Sequence, residues 1–267
     1  MLQWLISLIR ALNSSKAQYA VFELFIYIRR IDLIVHDVEK KQFPGVLISF
    51  EGVDGVGKTT QIDFLKHILD KQSKKYICVR EPGGTKLGEH LRSILLNQEN
   101  ANLSDRAELL LYEAARAQLV DEIIIPALEN GDVVICDRFF DSSTAYQGYG
   151  RGLDIDFLNQ VNLFATAQIV PDCTILLNPS NVRHSLNRAI QLDGADRIES
   201  EGVDFQGRVS QGFLEIAQQA PQRIHIVSSS GTRKEIAQNI MEYIVPLFDD
   251  LNISNAEYAF FEAFDRN

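Results

Sequence analysis

Residues 50 to 60 read FEGVDGVGKTT. The pattern G-x-x-x-x-G-K-[ST] is matched by Gly52-Val53-Asp54-Gly55-Val56-Gly57-Lys58-Thr59, with Thr60 next and an apolar run just before. Glycines let such a loop curl until its backbone N–H groups point at phosphate oxygens, and the N-terminus of the following helix adds positive potential. We therefore predict a nucleoside triphosphate site, with Lys58 on the β- and γ-phosphates and Thr59 on Mg²⁺.

Apolar runs and helical patterns alternate along the chain from residue 44. The apolar runs do not alternate with polar residues, which is typical of parallel strands covered on both faces. They span residues 46–50, 76–79, 133–136, 173–177 and 224–227, and helical patterns occupy 58–72, 86–95, 104–129, 154–168, 180–192, 204–220 and 232–247. We predict a doubly wound α/β fold whose ligands lie at the carboxyl ends of the strands.

Composition limits the possible partners. The 267 residues are 46% hydrophobic and carry a formal charge of −10, which repels polyanions and argues against a nucleic-acid or acidic-membrane binder. No apolar run reaches the roughly 18 residues that span a bilayer. The three cysteines, Cys78, Cys136 and Cys173, lie in predicted strands, and we expect buried, reduced thiols in a cytoplasmic protein.

Residues 1–43 form an N-terminal extension outside the strand and helix alternation. Apolar residues near 2–9 and 21–28 have helical spacing. The first positive charge, Arg10, follows an apolar run, which disfavours a secretory signal. A transit peptide and a stretch translated from a misplaced start codon both stay open. We expect one domain over 44–248 and a C-terminal tail over 249–267 with no assignable role.

Polar and basic residues follow several predicted strands. Asp137 comes directly after the third apolar run, where a carboxylate can hold the Mg²⁺ shell, and Arg138 is next to it. Arg80, Arg116 and Arg151 lie at a strand end, in a helix and in a Gly-rich stretch. Arginine suits phosphate because it binds two oxygens at once. We therefore expect a second anionic substrate, and a mobile loop around Arg151 that brings a cation to the transferring phosphoryl group.

Six strings together resemble the bacterial thymidylate kinase family in content, order and spacing, over about residues 44–248. They are FEGVDGVGKTT (50–60), REPGGT (80–85), AARAQL (114–119), DRFFDSSTAYQGYGRG (137–152), DRIE (196–199) and APQRIHIV (220–227). The resemblance implies a P-loop nucleoside monophosphate kinase fold with a lid. It also implies transfer of the γ-phosphoryl group of ATP to dTMP, giving dTDP, with Mg²⁺, in a cytoplasmic homodimer.

The resemblance also implies roles for residues of the acceptor site. Asp54 matches the acidic residue that contacts the 3′-hydroxyl of the acceptor sugar, and Arg138 matches the arginine that binds the acceptor phosphate. Arg80 matches an arginine on the same side. Arg116 matches the arginine that bonds the thymine carbonyl edge. Tyr112 stands where the family has a stacking aromatic, usually Phe, and its spacing of four residues from Arg116 puts both on one helix face.

Further matches lie in the stretch after Arg138. Ser143 matches a polar position near the base, Tyr146 the tyrosine whose bulk excludes a 2′-hydroxyl, and Gln147 the start of the lid. Because no basic residue precedes Lys58 in the loop, the sequence resembles the subtype in which the lid supplies the catalytic cation, here Arg151. Lys58, Arg138, Arg151 and the metal held by Asp137 would then share the charge of the transferring group.

Two other classes of protein have a P-loop and stay open at this point. Another nucleoside or nucleotide kinase of the same fold would respond to a different acceptor. A P-loop switch or ATP-driven binding protein would hydrolyse ATP or change state without any acceptor. A switch GTPase is disfavoured, because the chain has no N-K-x-D sequence with which to read guanine.

Overall fold

The fold is described from a computed structural model, over residues 43–193 and 195–263. The helices predicted within residues 1–43 lie outside the described residues. Within the described part, every helix is too short or too polar to cross a bilayer.

Five parallel strands form one sheet in the order β2-β3-β1-β4-β5. The predicted strands are confirmed to within one residue at each end. They are β1 (Val46–Glu51), β2 (Tyr76–Arg80), β3 (Val133–Asp137), β4 (Cys173–Asn178) and β5 (Ile224–Ser228). In this order β2 and β3 lie on one side of β1, and β4 and β5 lie on the other. The strand order therefore reverses next to β1, and a crevice is expected at the carboxyl end of β1.

Nine α-helices are described, and they connect and cover the strands. They are α1 (Lys58–Lys71), α2 (Lys86–Leu96), α3 (Asp105–Leu119), α4 (Ile125–Glu129), α5 (Phe140–Ser143), α6 (Ile155–Ala165), α7 (Val182–Asp193), α8 (Val203–Gln219) and α9 (Arg233–Ile244). Each predicted helical pattern overlaps at least one of them. The pattern at 104–129 is interrupted by a π-helical turn, Val120–Ile124, between α3 and α4.

Both faces of the central strand are buried because each contributes to a different layer of the core. Ile48 and Phe50 of β1 pack with Phe64 and Leu65 of α1 and with α8 and α9. Leu47 points to the opposite face, into a second cluster formed with the segment from Leu119 to Leu128. Alternate residues therefore bury against different helical layers, which explains the continuous apolar run.

Two sequence expectations require correction at the sheet edges and after β3. Cys136 and Cys173 are buried, but Cys78 is exposed, because β2 is an edge strand and is covered less completely than β1. Residues 144–150, expected to begin a mobile loop, form a buried π-helical segment, Thr144–Gly150, that continues directly from α5.

The end of the described chain packs on the helix that follows the P-loop. Tyr258 and Phe261 are buried, and their rings lie 5.2 and 4.8 Å from the ring of Phe64 in α1. The chain up to Phe261 therefore contributes to the same core as the sheet.

Candidate active site

One large cleft, with a volume of about 780 Å³, opens at the carboxyl ends of β1, β2 and β3. Most of the predicted site residues line it, although they come from segments far apart in the chain. Those lining it are Asp54, Gly55, Val56, Gly57, Lys58, Thr59, Thr60, Arg80, Tyr112, Arg116, Asp137, Arg138, Ser143, Tyr146 and Gln147.

The P-loop, residues 52–59, makes a tight turn between β1 and α1. Gly52, Gly55 and Gly57 all have positive φ, at 132°, 70° and 107°, a region that L side chains rarely adopt. A Cβ at Gly55 would also lie 2.1 Å from the carbonyl oxygen of Ser185. The Lys58 ammonium donates to the carbonyls of Gly52 at 3.0 Å and Val53 at 3.3 Å. The lysine is thus held over the loop, where phosphate oxygens can replace these carbonyls as acceptors.

A half-buried carboxylate, that of Asp137, lies beside the P-loop. In the sheet register Asp137 is opposite both Phe50 of β1 and Arg80 of β2, so it lies at the bottom of the crevice. Its Oδ1 atom is buried without a hydrogen-bond partner, and Thr59 at the start of α1 is exposed in the same cleft. An unsatisfied carboxylate oxygen and a nearby hydroxyl fit the ligand chemistry of Mg²⁺, which takes few protein oxygens alongside phosphate.

Arg138 is the central cation of the cleft. Its Nη1 donates to the Gly52 carbonyl at 2.9 Å and to the Ser142 hydroxyl at 3.2 Å, and its Nη2 donates to Asp54 at 2.5 Å. The Tyr146 hydroxyl donates to the other oxygen of Asp54 at 3.0 Å. Burial disfavours the charged form of Asp54, but Arg138 and Lys58 outweigh it and lower the pKa of that carboxyl. Asp54 is therefore an anion held between a cation and a phenol.

Arg116 is buried at the opposite wall and all its N–H groups have partners. Nε donates to Glu81 at 2.8 Å, and Nη1 to Glu113 and, at 3.2 Å, to Asn162. Nη2 donates to the Ser143 hydroxyl at 3.0 Å and more weakly to the Phe139 carbonyl. Because no N–H is left over, a base carbonyl that bonds Arg116 must replace one of these acceptors. Tyr112 lies one turn earlier on α3 and also lines the cleft.

Arg151 does not reach the cleft. Its guanidinium pairs with Glu108 at 3.0 Å, with Glu201 at 2.5 Å and with Asp105 at 3.5 Å, and it lies over the ring of Phe205. Three carboxylates hold it, two of them on α3, and it is not among the residues that line the cleft. The role of Arg151 as a cation on the transferring phosphoryl group stays a prediction, and these ion pairs would have to break before the guanidinium could reach a phosphate. Gln147, which donates to the same Glu108 at 2.9 Å, is buried and does not begin a loop.

Arg233, the first residue of α9, lines the cleft, and so do two further cations that the sequence analysis did not single out. Arg188, on α7, is exposed, and one Nη lies 3.8 Å from where a Cβ of Gly57 would be. Arg92, on α2, donates to the Pro82 carbonyl at 2.9 Å. Neither lies at a strand end or in a Gly-rich stretch, as Arg80 and Arg151 do. The sequence feature that could have identified them is their position on the helices that follow the second and fourth strands.

The cleft thus has two anion-binding halves, one at the P-loop and one around Arg138. A parallel sheet in this order, with a P-loop after its central strand and a second cationic site facing it, defines a P-loop phosphotransferase with an anionic acceptor.

Comparison with known proteins identifies the family. A profile of the family described as thymidylate kinase matches residues 50–240. Thymidylate kinases of Pelotomaculum thermopropionicum and Chlorobaculum tepidum are 46% and 44% identical to the chain, over 77% and 74% of its length and 95% and 96% of theirs. The crystal structure of thymidylate kinase from Ehrlichia chaffeensis has a TM-score of 0.62 at 31% identity, covering 74% of this chain and 97% of that one. The chain belongs to the thymidylate kinase family.

Proposed function

We propose that this chain carries out the activity of its family, ATP-dependent phosphorylation of dTMP to dTDP, with the two halves of the cleft as donor and acceptor sites. The observation that carries the proposal is the placement of Arg138 between the P-loop carbonyl of Gly52 and the Asp54–Tyr146 pair. One guanidinium there can contact both substrates.

In the donor half, the backbone of residues 52–60 binds the phosphates of ATP, and Lys58 exchanges its loop carbonyls for β- and γ-phosphate oxygens. Asp137 and Thr59 would hold Mg²⁺, supported by the unsatisfied Oδ1 of Asp137. When bound, Mg²⁺ neutralises charge on the β- and γ-phosphates.

In the acceptor half, we infer that the dTMP phosphate binds Arg138, with Arg92 and Arg80 nearby on the same wall. Asp54 accepts the 3′-hydroxyl of the sugar, and Tyr146 beneath it leaves no room for a 2′-hydroxyl. Tyr112 stacks on the base, while Arg116 and Ser143 bond its carbonyl edge and Gln147 borders it. An acceptor phosphate is ionised near neutral pH, so in-line attack on the γ-phosphorus needs positioning and charge neutralisation but no general base.

We propose Arg188, in place of Arg151, as the further cation on the transferring phosphoryl group. Arg188 lines the cleft beside Gly57, and no ion pair holds it within the described residues. Its guanidinium is therefore available to the developing charge, whereas that of Arg151 is neutralised by Glu108 and Glu201.

We further infer a cytoplasmic homodimer. Phe157 and Phe164, seven residues apart on α6, are 54% and 81% exposed, and Leu110 on the neighbouring α3 is 59% exposed. Such residues are often covered by a partner subunit. Sedimentation equilibrium of wild type and Phe164→Asp tests this, since a monomeric wild type would contradict it. The free thiols suit a reducing compartment.

The activity is tested by a coupled assay of ADP release from Mg-ATP, with dTMP, dUMP, dCMP, UMP, GMP or no acceptor. Strong stimulation by dTMP and little by UMP is expected. Faster turnover with another acceptor would indicate a related nucleotide kinase. A rate of ATP hydrolysis that does not depend on the acceptor would indicate an ATP-driven binding protein. It would also contradict the role proposed for Arg138.

A further inference from the structure

The backbone of Arg138 has an unusual conformation. Its φ is 73°, in the left-handed region that residues with a Cβ rarely adopt. The other non-glycine residues with positive φ in the described chain are Ser73, Ala167 and Gln168, none of which lines the cleft. Such a conformation persists only where the surrounding structure holds it.

The last two residues of β1 hold this backbone on both sides. The N–H of Arg138 donates to the Phe50 carbonyl at 3.0 Å. The next N–H, that of Phe139, donates to the Glu51 carboxylate at 2.7 Å. One of the two anchors is thus a side chain, and it can be changed by mutation without changing the course of the main chain.

Glu51 also reaches the guanidinium of Arg138 through one intermediate. Its second oxygen accepts the Ser142 hydroxyl at 2.6 Å, and the Ser142 oxygen accepts from Arg138 Nη1 at 3.2 Å. Glu51 itself is fully buried and does not line the cleft. It can therefore influence a substrate only through the residues it holds.

We propose that Glu51 is a positioning residue for the acceptor phosphate, because it holds both the left-handed backbone of Arg138 and, through Ser142, its guanidinium. This inference rests on the proposed role of Arg138 in binding the acceptor. A carboxylate suits the task because one group accepts a backbone N–H and a hydroxyl on two different oxygens. An acceptor arginine held in advance loses less conformational entropy when the phosphate binds.

A matched control exists in the same strand. The Ser49 hydroxyl donates to the Glu51 carboxylate at 3.0 Å and is fully buried, as Glu51 is, but it has no hydrogen bond to Arg138 or Phe139. Ser49→Ala therefore removes one hydrogen bond from the carboxylate and leaves the path to Arg138 intact.

The test compares KM for dTMP with Kd for ATP in Glu51→Ala, Glu51→Gln, Ser49→Ala and Arg138→Ala, below the melting temperature of each. Glu51→Ala should raise KM for dTMP about tenfold or more, the loss expected for a hydrogen bond to a charged group. Glu51→Gln still accepts the Phe139 N–H and should raise it about two- to fivefold. Ser49→Ala should stay within about twofold. Kd for ATP should change little in the Glu51 and Ser49 variants.

A KM for dTMP within twofold of wild type in both Glu51 variants, with a large increase in Arg138→Ala, overturns the positioning role and leaves the acceptor assignment standing. If KM for dTMP does not increase in Arg138→Ala, the acceptor assignment is overturned, and so is the role of Glu51 that rests on it. An equal loss of ATP and dTMP binding in Glu51→Ala also overturns it, since that result would mean a disturbed P-loop.

Discussion

The placement of Arg188 and Arg151 predicts opposite effects of the same substitution. Arg188 is exposed in the cleft without an ion pair in the described structure, so Arg188→Ala should leave the free energy of unfolding within about 0.5 kcal/mol of wild type. Removing one preorganised donor from a developing charge costs roughly 10²–10³ in kcat. We therefore expect a fall of at least about a hundredfold in kcat for Arg188→Ala.

Arg151→Ala should do the reverse. It removes a partner from Glu108, which is fully buried, although Arg197 at 2.6 Å and Gln147 still bind that carboxylate. Loss of a charge-assisted bond to a buried group costs about 1–3 kcal/mol, or a fall in melting temperature of roughly 2–12 °C for a domain of this size. kcat of the folded variant should fall less than about tenfold, because no cation leaves the cleft.

The assay is steady-state ADP release with saturating Mg-ATP and dTMP, together with thermal unfolding of the same preparations. Each variant is the control for the other, since both lose one guanidinium. If Arg151→Ala lost a hundredfold in kcat and kept its melting temperature, while Arg188→Ala kept wild-type turnover, the reasoning from ion pairs would be refuted and the original assignment of Arg151 restored.

Three other predictions follow from buried groups. Burial, aided by the nearby charge of Asp141, raises the pKa of Glu51 from 4.5 to about 7. A carboxyl group with a raised pKa favours the folded state fully below pH 4.5, and this contribution is lost as the pH rises through 7. The free energy of unfolding in urea should therefore fall by about 3 kcal/mol more for wild type than for Glu51→Gln between pH 5 and 8. A difference between the two proteins that stays constant with pH would contradict this. Asp137→Asn should raise the Mg²⁺ concentration for half-maximal activity about tenfold or more, because a charged oxygen ligand is lost, and an unchanged Mg²⁺ titration would exclude Asp137 as a ligand. Phe261 is 2% exposed and packs on α1, so Phe261→Ala should lower the free energy of unfolding, measured by thermal unfolding, by about 3–5 kcal/mol. A loss under 1 kcal/mol would mean that the tail does not contribute to the core.

The sequence by itself determined the sheet and the P-loop. Strands such as Val133–Asp137 are recognisable because both of their faces are buried, which produces a continuous apolar run. The loop at 52–59 is recognisable because its turn needs glycines at fixed positions, and Gly52, Gly55 and Gly57 all have positive φ. Both signals are local, so they can be read before any partner is known. Asp137 and Arg138 were found in the same way, from their position directly after an apolar run.

Only the tertiary structure decided which cations are available. Arg151 pairs with Glu108, 43 residues earlier in the chain, and with Glu201, 50 residues later, and no local pattern marks either pair. Arg188 reaches the P-loop because α7 packs where Gly55 has no side chain. The partners of a charge are set by long-range packing, and these partners determine whether an arginine stabilises the fold or remains free to bind phosphate. For the same reason the sequence revealed Arg138 but not the conformation in which Glu51 holds it.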